Sequence, residues 1–111
     1  MEVTNQIKGD AIVFYLNGDL TTTSSPEAQA EINAALESAE CKLVVINVEQ
    51  VNFIASTGLR VMLALGKKLK ASGTELVVCS ANQTNKSVFK MSGFTRIFRI
   101  FDTEDEALEL V

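Results

Sequence analysis

Residues 42–60, KLVVINVEQVNFIASTGLR, contain the clearest strand and helix signals in the chain. Residues 42–48 form an apolar run of the kind found in strands that are buried on both faces of a sheet. Residues from about 57 to 71 then predict an amphipathic helix, whose apolar stripe consists of Leu59, Met62, Leu63, Gly66 and Leu69. We expect a central strand here, joined by residues 52–60 to a helix that packs on the sheet.

Two further strands precede this unit. Residues 2–8 and 11–17 are separated by Gly9-Asp10, a pair typical of a tight hairpin turn. The second run, AIVFYLN, is rich in the β-branched and aromatic side chains that favour strands. The chain is therefore expected to open with two antiparallel strands.

A helix is predicted between the hairpin and the central strand. Ser24 or Ser25 can cap it, Pro26 suits its first turn, and Glu27 lies where the positive end of a helix favours an acid. The residues that we expect to face the sheet recur every three or four positions: Ala28, Ile32, Ala35, Leu36 and Ala39.

The rest of the chain repeats the alternation of strand and helix. We predict a strand at 74–79, a helix at 83–91 that Gly93 ends, a short strand at about 96–100 and a final helix from 103. Such alternation implies right-handed crossovers and a largely parallel sheet. The prediction for residues 1–111 is a single α/β domain, with a mixed, mostly parallel β-sheet, an N-terminal antiparallel hairpin and flanking α-helices.

Composition argues against several classes of function. The 111 residues include 14 acidic and 10 basic side chains, a formal charge of −4, whereas binding to phosphate backbones requires a basic surface. No apolar run approaches the ~20 residues of a membrane-spanning helix, and the N-terminus lacks the features of a signal peptide. We expect a cytoplasmic protein that binds neither nucleic acid nor membranes.

Metal and disulfide chemistry are not expected either. The sequence has no histidine and two cysteines, Cys41 and Cys79, which lack the spacing of a zinc site. In parallel strands the two sulfurs would lie near opposite ends of the sheet, about 15–20 Å apart and beyond disulfide reach. We predict two reduced thiols and no bound cofactor.

Three other patterns favour structural interpretations over catalytic ones. Gly66-Lys67 lacks the flanking residues of a phosphate-binding loop, and close packing of helix on sheet explains the glycine better. Ser56 has no histidine to deprotonate it, so a hydrolase triad is excluded and no enzyme activity is expected. The C-terminal acids are typical of solvated charges at a helix start that Asp102 or Thr103 caps: Asp102, Glu104, Asp105, Glu106 and Glu109.

The segment at 52–60 requires more than a structural interpretation. Phe53 and Ile54 can anchor this loop in the core. Ser56 can cap the following helix, and Gly58 allows a close backbone approach in its first turn. A phosphate on Ser56 would add ~1.5–2 negative charges at a helix N-terminus, which stabilises the helix locally and changes any surface that docks on the loop.

Three segments have the order and spacing of a known family: 18–20 (Gly-Asp-Leu), 53–59 (Phe-Ile-Ala-Ser-Thr-Gly-Leu) and 91–94 (Met-Ser-Gly-Phe). Over nearly the whole chain they resemble the bacterial anti-sigma factor antagonists of the STAS domain family. The resemblance implies a non-enzymatic protein that binds an anti-sigma factor, itself a serine kinase of the GHKL ATPase type, and so frees a sigma factor. Phosphorylation of the serine at the head of the helix breaks that complex, and a serine phosphatase is a further implied partner.

The resemblance also implies site residues. By position, Ser56 is the phosphate acceptor, with Thr57 as a secondary acceptor. The family usually has an aspartate where this chain has Ala55, and another acid where it has Thr21. The implied docking surface consists of the first loop and the start of the following helix: Asp19, Thr21, Thr22, Ala55, Ser56, Thr57, Gly58 and Arg60.

A second function is left open by the same resemblance. A STAS domain can also be a scaffold subunit of a signalling assembly or of a lipid-transport complex, without phosphorylation. Stable self-association would favour this alternative.

Overall fold

Five strands form one sheet and lie side by side in chain order. A computed structural model describes residues 1–111. β1 is antiparallel to β2, and each later strand is parallel to its neighbour. The strands are β1 (Glu2–Lys8), β2 (Ala11–Asn17), β3 (Leu43–Gln50), β4 (Glu75–Cys79) and β5 (Ile100–Phe101). The predicted fold class and hairpin are confirmed, and β3 is the central strand.

Helices cover both faces of the sheet. They are α1 (Ser24–Glu37), α2 (Ser56–Ala71), α3 (Gln83–Met91) and α4 (Glu104–Leu108), with a 3₁₀ helix at Phe94–Arg96. The larger core lies between the sheet and α1, α2 and α3, and includes Phe14, Ile46 and Phe89. On the other face, Ala107 of α4 packs in a smaller cluster with Val45. None of the helices is long and apolar enough to cross a bilayer.

The strand predicted at 96–100 is wrong. Phe94–Arg96 forms a 3₁₀ helix, and β5 comprises only Ile100–Phe101. The reason is aromatic packing. Phe94 lies between Phe89 and Phe98, with ring centroids 4.9 and 4.7 Å away, and a four-residue spacing brings two of these rings into the core only if the backbone is helical.

The predicted cap of α1 is also wrong. The residue before the helix makes no side-chain cap, and Ser24 and Ser25 are already helical. The hydroxyl of Thr21 accepts a hydrogen bond from the backbone N–H of Ser24 at 3.1 Å, so the helix start is stabilised from three residues upstream. Pro26 and Glu27 lie in the first turn, as predicted.

The buried stripe of α2 is rotated from the predicted one. Leu59 and Leu63 are only half-buried, and the buried residues are Gly58, Val61, Met62, Leu65, Gly66 and Leu69. A Cβ on Gly66 would collide with the ring of Phe98. The ring of Phe98, from the segment after the 3₁₀ helix, therefore packs directly on Gly66. We had expected the sheet to pack there.

The two cysteines are free thiols. Cys41 precedes β3 and contacts the larger core, whereas Cys79 ends β4 and belongs to the smaller cluster. The parallel register of β3 and β4 therefore separates them both along and across the sheet. Burial raises the pKa of Cys79 to about 11.

One C-terminal acid is not the solvated helix charge that we predicted. Glu104 accepts hydrogen bonds from Lys8 Nζ at 2.6 Å and from Asn47 Nδ2 at 3.1 Å, and its side chain is 17% exposed. Burial raises the pKa of Glu104, but the hydrogen bonds from Lys8 and Asn47, together with the nearby Tyr15 hydroxyl, outweigh burial, so its pKa is below the ordinary value. Thr103 caps α4, as predicted, by accepting from the N–H of Glu106.

Candidate functional site

Two loops lie side by side at the carboxyl ends of β2 and β3. The first follows β2 at residues 18–20, and the second follows β3 at residues 51–55. The N–H of Leu20 donates to the carbonyl of Phe53 at 2.9 Å, and the N–H of Ala55 donates to the carbonyl of Leu20 at 2.8 Å. These bonds bring two of the three sequence motifs, far apart in the chain, to one end of the sheet.

Asp19, in the first loop, is hydrogen-bonded to the second loop and to the start of α1. Its Oδ1 accepts from the N–H of Phe53 at 3.2 Å, and its carbonyl accepts from the hydroxyl of Ser24 at 2.6 Å. Ser24 Oγ in turn accepts from the N–H of Thr21 at 2.9 Å. The first loop and the start of α1 therefore form one hydrogen-bonded unit next to the second loop.

The N-terminus of α2 has no side-chain cap. Ala55 occupies the cap position with extended backbone angles (φ −77°, ψ 166°), and Ser56 is the first helical residue. The prediction that Ser56 caps the helix is wrong, because the cap lies one residue earlier. The backbone N–H groups of Ser56 and Thr57 have no hydrogen-bond partner in the chain, and neither has the Ser56 hydroxyl. Two donors at the positive end of a helix thus remain available beside an unbonded hydroxyl.

Gly58 permits the two loops to meet. A Cβ at this position would lie 3.0 Å from Leu20 Cβ, 3.0 Å from Ile54 Cγ2 and 3.3 Å from Ser25 Oγ. Such contacts are tighter than ordinary van der Waals packing, and here the neighbours belong to three different segments. The close approach predicted for Gly58 is confirmed.

A buried amide holds the second loop from its other side. Asn85, near the start of α3, is 1% exposed, and its Nδ2 donates to the carbonyl of Val51 at 2.9 Å. Asn82 fixes Asn85 by accepting its backbone N–H at 2.8 Å. The sequence analysis missed Asn85, because nothing local distinguishes it from any other polar residue of an amphipathic helix.

The structure brings the predicted site residues together, but it does not expose all of them. Gly58 is buried, and Ala55 and Thr57 are half-buried. The exposed members of the set are Asp19, Thr21, Thr22, Ser56 and Arg60. Gly58 therefore shapes the surface from below and is not part of it.

Phe53 is an exposed residue that the sequence analysis assigned to the core. Ile54 is 4% exposed, whereas Phe53 is 54% exposed. Successive residues of an extended segment point in opposite directions, so only one of the two can be buried. An aromatic side chain therefore lies on the surface in the loop that leads to Ser56.

The site presents groups of several chemical types. No group of three or more Cys, Asp or Glu side chains is placed to hold a metal ion. The surface instead offers one carboxylate, one guanidinium, an aromatic ring, several hydroxyls and the free donors of α2. These features suit recognition of another protein, and a hydroxyl at a helix N-terminus is a favourable position for a phosphate.

Two sequence relatives match most of this chain. The BtrV protein of Bordetella bronchiseptica, described as an anti-sigma factor antagonist, is 29% identical over 107 residues, which are 96% of this chain and 91% of that one. The anti-sigma F factor antagonist of Paenibacillus polymyxa is 29% identical over 97 residues, 87% of this chain and 83% of that one.

Solved structures share the fold. An anti-sigma factor antagonist from Mycobacterium paratuberculosis superposes with a TM-score of 0.89 at 22% identity, over 99% of this chain and 92% of that one. The Bacillus cell fate determinant SpoIIAA in its phosphorylated form superposes with a TM-score of 0.72 at 22% identity, over 97% of each chain. The family model of the STAS domain matches residues 2–107. The resemblance inferred from the three motifs is thus confirmed, and the chain belongs to the STAS domain family.

Proposed function

We propose that this chain is an anti-sigma factor antagonist whose binding to an anti-sigma factor is switched off by phosphorylation of Ser56. The observation that carries the proposal is the exposed, unbonded Ser56 hydroxyl at the uncapped start of α2, next to the hydrogen-bonded loop of Asp19. The relatives named as anti-sigma factor antagonists support the same role.

The docking surface is built around Ser56. Asp19, Thr21 and Thr22 come from the first loop, and Arg60 lies one turn along α2 from Ser56. Ala55 and Thr57 contribute at its edge. Exposed Phe53 adds an aromatic group of the type that contributes most to protein interfaces. In the unphosphorylated state this surface has balanced charge, one acid and one base, so a partner can close over it without burying excess charge.

Phosphorylation would change this surface in two ways. The phosphate adds ~1.5–2 negative charges close to the free N–H groups of Ser56 and Thr57, which can donate to it. The helix start becomes more stable, while the surface acquires a charge that the partner must desolvate or repel. The domain therefore stays folded and loses its partner.

Ala55 favours the phosphorylated form of the chain but slows the phosphorylation of Ser56. With no carboxylate at the cap position, the free donors of α2 are not already engaged, and an incoming phosphate meets less repulsion. The same absence leaves the Ser56 hydroxyl without a neighbouring acceptor to orient it. We propose as partners a kinase of the GHKL ATPase type, which is the anti-sigma factor itself, and a serine phosphatase, all acting in the cytoplasm.

Calorimetric titration with the cognate anti-sigma factor tests the switch. Wild type and Ser56→Ala are expected to bind with similar affinity, whereas Ser56→Asp binds at least about tenfold more weakly because its carboxylate must be desolvated in the interface. Ser87→Asp is the matched control, since Ser87 is an exposed serine on α3, outside the proposed surface, and it should bind like wild type. Equal affinities for all four proteins would refute the switch and favour the scaffold alternative.

A further inference from the structure

β1 is an edge strand that nothing covers along its outer side. It pairs only with β2, and five of its seven residues are exposed. The opposite edge of the sheet, β5, has only two residues. Edge strands are usually shortened, bulged or interrupted by proline, because unpaired backbone groups recruit other strands. β1 has a continuous register with β2 and no proline, so it has none of these protections.

The hairpin geometry shows which backbone groups are free. Gly9-Asp10 is a two-residue turn that makes Lys8 and Ala11 the closing pair. In such a hairpin the closing residues bond to each other, and bonded and non-bonded pairs then alternate along the strand. The residues of β1 that direct their N–H and C=O groups away from β2 are therefore Val3, Asn5 and Ile7.

The sequence of β1 is complementary to itself about Asn5. In an antiparallel pair centred there, Asn5 lies opposite Asn5 of a second copy, and Val3 lies opposite Ile7. Thr4 then lies opposite Gln6, and Glu2 opposite Lys8. The three outward residues of each strand would form six N–H···O bonds, which leaves none of the edge donors unpaired. Ile7, which is 70% exposed in the single chain, would be covered by Val3 of the second copy.

We propose that β1 pairs antiparallel with β1 of a second copy of this chain, forming a two-fold dimer with a continuous ten-stranded sheet. The inference goes beyond the proposed function. Ser56 follows the loop at the end of β3, and β2 separates β3 from this edge, so the dimer leaves Ser56 exposed. Self-association and partner switching can therefore fail independently, and a weak dimer is not the stable self-association that would favour the scaffold alternative.

Two features make the dimer weak and dependent on salt. Lys8 is already bonded to Glu104, so its pairing with Glu2 of the second copy adds little. α1, which packs against β1, carries exposed Glu27 and Glu31 and has no basic residue, so two copies bring like charges together. We expect association to strengthen as the ionic strength rises, because salt screens this repulsion.

Analytical ultracentrifugation of the full chain, from low micromolar to near-millimolar concentration, tests the proposal. Wild type should approach the mass of a dimer as concentration increases. Asn5→Pro removes an outward N–H without breaking the β1–β2 ladder, and should weaken association at least about tenfold. Asn5→Ala retains the N–H and should associate nearly as wild type does.

Amide hydrogen exchange of the wild type provides a readout that needs no variant. The amides of Val3, Asn5 and Ile7 should exchange more slowly as concentration rises, whereas that of Gln6, already bonded to β2, should not change. A chain that stays monomeric at all concentrations would overturn the proposal. The same holds if β1 pairs only with an extended segment of another protein and never with a second copy. Association that Asn5→Pro leaves intact would also overturn it.

Discussion

Replacing Ala55 with aspartate should stabilise the domain, although this residue lies in the proposed docking surface. Ala55 already has the extended backbone of a helix cap, so the substitution requires no rearrangement. Its carboxylate can accept from the free N–H of Thr57, and a cap of this kind contributes ~0.5–2 kcal/mol, typically ~1. For a domain of this size, 1 kcal/mol raises Tm by about 4 °C.

Chemical and thermal denaturation measure this effect. Ala55→Ser provides a cap without charge, and should give most of the gain at all salt concentrations, whereas the additional gain from Ala55→Asp should decrease with salt. Thr103→Ala is the opposite control, because Thr103 already caps α4 and its removal should destabilise the chain. If Ala55→Asp and Ala55→Ser leave the free energy of unfolding unchanged, the N-terminus of α2 is not the open donor site that we describe.

Three further predictions test the packing and the electrostatics. Gly66→Ala should destabilise the chain by ~1–3 kcal/mol, because its Cβ would collide with the ring of Phe98. Phe98→Leu in the same chain should recover part of this loss, as measured by urea denaturation. At pH 8 a thiol reagent should not label Cys79 in the folded chain, since burial raises the pKa of this thiol to about 11. Both cysteines should react after unfolding without reductant, and a Cys41–Cys79 disulfide would contradict the sheet direction. The lowered pKa of Glu104 contributes stability that is present above pH 4.5, the ordinary pKa of this group, and that is lost as pH falls through the lowered pKa. Glu104→Gln should therefore reduce the loss of stability in acid. An unchanged acid transition would contradict the pairing of Glu104.

The central strand and the two site loops could be predicted because their signals are local. β3 shows as an apolar run, and the hairpin turn shows as Gly9-Asp10. The sequence motifs identified residues 18–20 and 52–60, and the parallel sheet places the ends of β2 and β3 together. The site therefore follows from strand direction once the motifs are recognised.

What could not be predicted depends on partners distant in the chain. Glu104 is held by Lys8, 96 residues away in the sequence, and no local pattern indicates that pairing. The segment at 96–100 has strand-like residues, but the ring of Phe98 packs on Phe94 and beside Gly66, which selects a helical turn. The cap position of α2 differs from the prediction by one residue, because cap preference favours serine, whereas the backbone of Ala55, bonded to the distant Leu20, starts the helix one residue earlier.

Release of a sigma factor is the most direct readout of the proposed switch. A labelled sigma factor bound to the cognate anti-sigma factor is titrated with this chain, and fluorescence anisotropy reports the free sigma factor. We expect unphosphorylated wild type to release the sigma factor, and the chain phosphorylated at Ser56 by the anti-sigma factor and ATP not to release it. Release that is equal before and after phosphorylation, or no release by either form, would contradict it.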